Sequence, residues 1–94
     1  MSDKQVAFRV HAILRMFERR IDVEDVLQIL RTGEVIEDYP SDTPYPSQLL
    51  FGWRATRPLH IVVATNAAEN QCIIITVYEP DPEQWDSEFK RRKP

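Results

Sequence analysis

The chain has two histidines, and each has arginine nearby. His60 stands in RPLHIVVA, Arg57 to Ala64, where an apolar run opens with arginine, proline and an imidazole. His11 stands in HAILRMFERR, with Arg15 one helical turn on and Arg19 a turn further. An imidazole can give or take a proton near neutral pH. A guanidinium matches a phosphate with paired hydrogen bonds, and a tyrosine can donate a proton or stack on a base. Such groups suit metal-free RNA cleavage. There the attacking 2′-hydroxyl needs a base, the leaving 5′-oxygen an acid, and the phosphorane a positive partner. Each residue also has a plainer reading. His11 and Arg15 can form a solvated basic face, and His60 can be a buried imidazole bonded to a backbone carbonyl.

The inventory is compatible with this chemistry without singling it out, and the usual motifs of other chemistries are absent. Gly33 and Gly52 are the two glycines, so no glycine-rich phosphate loop exists. Two histidines and one cysteine, all far apart, match no metal-ligand spacing, and neither a metal nor a cofactor is expected. Cys72 lies in CIIITV and reads as a small buried hydrophobe rather than a reactive thiol.

The elements that must position these groups follow from periodicity. Residues 7–20 predict an amphipathic helix whose stripe, Val10, Ile13, Leu14, Phe17 and Ile21, should face a core. On that helix His11 lies about 100° from the stripe's centre, at the border of buried and exposed surface. Asp22 is a natural N-cap for a second helix with Val23, Val26, Leu27 and Leu30 inward. Gly33 should end it in the left-handed conformation. GEVIEDY then reads as a short edge strand, and the prolines of Pro40–Pro46 make a loop. SQLLFGWRA, LHIVVAT and CIIITVYE predict an antiparallel meander. In PDPEQWDSEFKRR, Asp81 as cap and Pro82 at the first position predict a C-terminal helix with Trp85 and Phe89 on one edge. The expected fold is α+β: two N-terminal helices packed on a four-stranded, mainly antiparallel sheet, with a short C-terminal helix.

With a strand turn centred near Ala68, His60 falls opposite Thr76 and Pro58 opposite Tyr78, with Arg54 close by. That register gathers Arg54, His60, Thr76 and Tyr78 at one end of the sheet, though a one-residue slip undoes it. A single site also requires the first helix to bring His11 within about 10 Å of His60.

A length of 94 residues makes one domain, 1–94, and 43% hydrophobic with 29% charged residues is globular composition. The net charge of −3 argues against bulk nucleic-acid binding. Even so, Arg9, Arg15, Arg19 and Arg20 cluster early, and Lys90–Lys93 is entirely basic, so one basic face is allowed. No apolar run is long enough to span a membrane, and Met1–Val6 lacks an apolar signal core, so a cytoplasmic location is expected.

Four segments resemble the domain-of-unknown-function family 4258: HAILRMFERRIDVEDVLQIL, GEVIEDYP, RPLHIVVA and IIITVYEPDPEQW. The resemblance runs from about Phe8 to Arg91. It implies kinship with RelE-like toxins of the BrnT and MqsR types, small cytoplasmic ribonucleases held inactive by a cognate antitoxin. The implied function is a toxin of a type II toxin–antitoxin system, a metal-independent endoribonuclease cleaving mRNA, free or on the ribosome. In that reading His60, Tyr78 and His11 are catalytic, and Arg15, Arg57 and Arg54 bind substrate. The implied partners are the antitoxin and RNA, with a homodimer allowed. The sequence departs from the toxins in being acidic and in having no lysine on the sheet. The alternative is a non-catalytic module binding a protein or an anion.

Overall fold

The computed structural model describes residues 5–94. Residues 1–4, the start of the stretch read as lacking a signal core, lie outside the described residues. The elements are β1 (Gln5–Phe8), α1 (Val10–Arg19), α2 (Val23–Thr32), β2 (Glu34–Tyr39), β3 (Ser47–Arg54), β4 (Arg57–Asn66) and β5 (Gln71–Tyr78). The sheet has five strands in the order β1-β5-β4-β3-β2. From β2 to β5 it is an antiparallel meander, and β1 joins β5 in parallel, so the sheet is mixed.

This corrects the expected four-stranded sheet with a C-terminal helix. The fifth strand is QVAF, whose last two residues the periodicity assigned to the first helix. The Arg9 N–H donates to the Ile74 carbonyl at 3.0 Å, and the Gln5 N–H to the Asn70 carbonyl at 3.1 Å. Those carbonyls are more than sixty residues away in the chain, so a local pattern cannot announce the pairing.

The helices lie on one face. Ala12, Met16, Ile21, Val26 and Ile29 pack on Leu50, Leu59, Ile61, Val63, Ile74 and Val77, with Cys72 partly buried beside them. α1 ends at Arg20, in the left-handed conformation (φ 56°, ψ 48°), its N–H bonded to the Met16 and Phe17 carbonyls. At the start of α2 the Asp22 N–H donates to Asp25 Oδ2 at 3.1 Å, the return arm of a capping box.

Gly33 ends α2 with φ −74°, an extended conformation, not the left-handed one expected. The glycine is needed for space. A Cβ there would lie 2.6 Å from the Ile29 carbonyl oxygen and 2.9 Å from that of Phe51, and backbone atoms cannot step aside. Gly52 has the same role from the sheet side: its Cβ would meet three Ile29 side-chain atoms, the nearest at 2.7 Å.

α1 sits on the sheet by a face other than the one its periodicity selects. Its buried residues are Ala12 and Met16. Val10, Ile13, Leu14 and Phe17 are 73, 51, 56 and 85% exposed. In α2 the buried positions are Asp25, Val26 and Ile29, and Val23 is half exposed.

Residues 80–93 cross the other face of the sheet as a strap, not a helix. One turn forms after Asp81, whose carbonyl accepts from the Gln84 and Trp85 N–H groups at 2.9 and 3.0 Å. The segment then doubles back. Trp85 bridges to Arg92, Asp86 N–H donates to the Arg91 carbonyl at 2.9 Å, and Lys93 N–H to that of Gln84 at 2.8 Å. Lys90–Glu34 and Arg92–Glu37 ion pairs tie it to β2. Burying Trp85, which is 2% exposed, outweighs helix propensity in this segment.

Candidate functional site

The sheet separates the six candidate residues. In β4, Leu59 and Ile61 face the helices, so Arg57 shares their side and His60 points to the strap. β5 carries a bulge opposite Val62 and Val63, and the register therefore puts His60 beside Tyr78, not Thr76. On β3 it is Phe51 that pairs with His60, while Arg54 pairs with Arg57. The expected cluster of Arg54, His60, Thr76 and Tyr78 thus loses its arginine to the opposite face.

His60 is 0% exposed. Its ring makes edge contacts with Trp85 at 4.4 Å, Tyr78 at 5.2 Å and Phe51 at 5.9 Å. Nε2 lies 2.7 Å from the Phe89 carbonyl oxygen, and Nδ1 lies 3.2 Å from the Tyr78 hydroxyl. A carbonyl can only accept, so Nε2 carries the proton and Nδ1 accepts from the tyrosine. Burial pushes the His60 pKa down, partly offset by the Phe89 carbonyl. Burial also pushes the Tyr78 phenol up. The strap therefore favours the neutral form of His60, with both nitrogens engaged and the ring shielded from solvent. An imidazole so placed holds the strap to the sheet.

Arg57 is spent in another way. Its Nε donates to Glu79 Oε1 at 2.9 Å, and its two terminal nitrogens donate to the Arg20 and Arg19 carbonyls at 2.9 and 2.7 Å. Those carbonyls close α1, where unpaired acceptors and the negative end of the helix dipole attract a cation. An arginine opens β4 because it ties the sheet to the end of α1. Arg54 forms an ion pair with the buried carboxylate of Asp25 on α2.

His11 and Arg15 lie on the outer side of α1, away from His60. Arg15 Nε donates to His11 Nε2 across 3.5 Å, and a second Arg15 nitrogen is 3.7 Å from Glu18. Three surface grooves, of about 480, 570 and 350 Å³, border the sheet, and none is lined by any of the six residues. Among the described residues no group of three or more histidine, cysteine, aspartate or glutamate side chains is placed to hold a metal ion. None of the helices described is long and apolar enough to cross a membrane.

The surface that stands out instead is the outer face of α1. Val10, Ile13, Leu14 and Phe17 recur at i, i+3, i+4 and i+7, and so form one ridge. At about 100° per residue the ridge is centred roughly 130° around the helix from the buried Ala12–Met16 line. Both lines are visible in the sequence, and the larger side chains form the stronger apolar stripe. The signal that could have separated them is the small residue: Ala12 lets the helix approach the sheet closely, and the four bulky residues do not.

A two-helix layer on a mixed five-stranded sheet, strapped on its far face, defines a small α+β domain. The family described as Domain of unknown function (DUF4258) matches residues 8–79, and the chain belongs to it. No curated protein and no solved structure matches the chain significantly. The match ends just before the strap, so the His60–Tyr78 pair lies within the family domain and its cover, Trp85 and Phe89, lies beyond it.

Proposed function

We propose that this protein is a protein-docking module and that α1 is its docking element. The observation that carries the reading is the ridge: four large apolar side chains, each at least half exposed, in one contiguous line. Exposed single hydrophobes are ordinary, but a contiguous patch on a helix is a signature of a partner surface. The antitoxin implied by the family resemblance is a partner of the kind this reading needs.

The test is capture of partners by tagged protein from the host lysate, wild type against the double variant Leu14→Ser/Phe17→Ser. The wild type should retain a stoichiometric protein that the variant loses while circular dichroism shows the variant folded. Equal capture by both would overturn the reading.

The ribonuclease-toxin reading has one observation in its favour: an exposed imidazole–guanidinium pair, His11 with Arg15, on a helix that also bears Arg19. Under it, induction without the partner arrests growth, purified protein cuts RNA, and His11→Ala abolishes both. Growth without arrest and intact RNA, with ribosomes present, would leave the docking module alone.

A further inference from the structure

We infer that residues 80–93 form an acid-released strap: the buried imidazole of His60 is its catch, and protonation of that ring lets the strap lift from the sheet. The strap lies on the far side of the sheet from the α1 ridge, so it holds or fails independently of the docking reading. Three observations lead there. The first is that the strap is separable. Its N–H groups bond within itself: Gln84 and Trp85 to the Asp81 carbonyl, Phe89 to that of Asp86 at 3.0 Å, Asp86 to that of Arg91, and Lys93 to that of Gln84. The sheet in turn pairs strand to strand, from Ser47 to Arg54 on β3 and from His60 to Asn66 between β4 and β5. The family match closes at residue 79, before the strap begins. Lifting the strap breaks no bond of that ladder, and a segment held in this way can open while the rest stays folded.

The second observation is what holds the strap down. Trp85 lies on His60 and Phe89 on Trp53. The polar ties are Lys90 to Glu34 at 3.1 Å, Arg92 to Glu37 at 3.4 Å, and His60 Nε2 to the Phe89 carbonyl at 2.7 Å. The two ion pairs are partly exposed, and pairs of that kind contribute little and weaken with salt. His60 is wholly buried, and an imidazole ordinarily changes charge between about pH 5 and 8.

The third observation is the company an imidazolium would keep. The rings of Trp85, Tyr78 and Phe51 enclose it. The titratable and charged groups that face it are the Tyr78 hydroxyl on β5, Glu37 on β2 and Arg92 on the strap. Glu37 is already engaged by Arg92 and by the Tyr39 hydroxyl. Burial pushes the His60 pKa below 6.5, with the Phe89 carbonyl and Glu37 opposing and Arg92 reinforcing. With the strap open the ring meets water and takes up its proton near the ordinary value. Opening therefore binds a proton, and each fall in pH below 6.5 favours the open strap until the closed-state value is reached. The open strap leaves His60, Tyr78 and Phe51 facing solvent.

Amide exchange of the full chain, corrected for the intrinsic effect of pH on exchange, tests this. The amides of Trp85, Asp86, Phe89 and Lys93 should exchange faster than those of Ile61 and Val63 on β4, the mark of an opening short of unfolding. From pH 7.5 to 5.5 their protection should fall several-fold, to a limit of about tenfold set by the lower pH lying one unit below the ordinary value. His60→Gln keeps an N–H for the Phe89 carbonyl but has no proton to gain, so its strap should lose this pH dependence. Equal protection of strap and β4 at both pH values overturns the separable strap. Strap protection that is the same at pH 7.5 and 5.5 overturns its release by acid. These two wild-type comparisons decide even if His60→Gln does not fold. A pH dependence that survives in a folded His60→Gln overturns His60 as the catch. So does a release that begins only below about pH 5, where ordinary carboxylates take up protons.

Discussion

His60 is one of two histidines and looks, as a residue type, like the most reactive group in the strand that contains it. Its surroundings give it a different task. One nitrogen holds the strap's backbone, the other a tyrosine hydroxyl, and three aromatic rings close around it. His60→Ala removes both bonds and leaves a void and an unpaired Phe89 carbonyl, which should cost about 2–4 kcal/mol in urea unfolding. Its lowered pKa also has a sign. The unfolded chain takes up the proton near the ordinary value of 6.5, while the folded one resists until lower pH. The unfolded state therefore binds more protons below that value, and stability present above pH 6.5 is lost as the pH falls towards the folded value. Arg92 reinforces the effect and Glu37 opposes it. Melting temperatures between pH 7.5 and 5.5 should fall more steeply for the wild type than for His60→Gln, and parallel slopes would refute the assignment. At Gly52 the residue scale is one of space. Gly52→Ala drives a methyl group into Ile29, so α2 must shift or Ile29 must leave its place, at a cost of about 1–3 kcal/mol. An unchanged melt would mean that α2 gives way freely.

Among the elements, the strap shows how tertiary contacts override local preference. Asp81, Pro82 and the four-residue spacing of Trp85 and Phe89 are helix signals, and one turn does form after Asp81. Continuing it would keep both rings on one helical edge. Instead Trp85 stacks edge-on to His60, Phe89 meets Trp53 at 5.9 Å, and Arg92 lies 4.6 Å over the Trp85 ring. Trp85→Ala should therefore cost about 3–5 kcal/mol and loosen the whole segment, read as rapid amide exchange from Asp86 to Lys93. Slow exchange there in the variant would show that the Glu34 and Glu37 ion pairs suffice to hold the strap. α1 teaches the complementary lesson. Its strongest apolar periodicity marks an outward ridge, and the weaker Ala12–Met16 line is the one that the sheet covers.

Over the whole molecule, the six candidate residues do not converge on one place. The sheet stands between the imidazole of His60 and the guanidinium of Arg57, and α1 presents His11 and Arg15 away from both. One further expectation belongs to this scale. The ridge lies outside the buried core cluster, so Leu14→Ser/Phe17→Ser should cost about 1 kcal/mol or less, as surface positions do. A large loss of stability in thermal melts would place these residues in the fold's own energetics and remove the reason for seeking a partner.

What the sequence determined by itself is what local chemistry controls. Two helices with a tight joint, the Asp22 start, the strand at GEVIEDY and the three long apolar strands follow from short-range periodicity and capping, and they stand in the structure at nearly the expected bounds. The candidate site was legible only as a list of residue types. Its geometry turned on the β5 bulge, which changes which residue lies beside His60, and on strand parity, which sends Arg57 and His60 to opposite faces. Tertiary structure alone decided three further matters. It paired QVAF with a strand from the other end of the chain, chose which line of α1 meets the sheet, and folded the strap over His60. Each depends on the free energy of contacts between residues far apart in sequence, which no window along the chain contains.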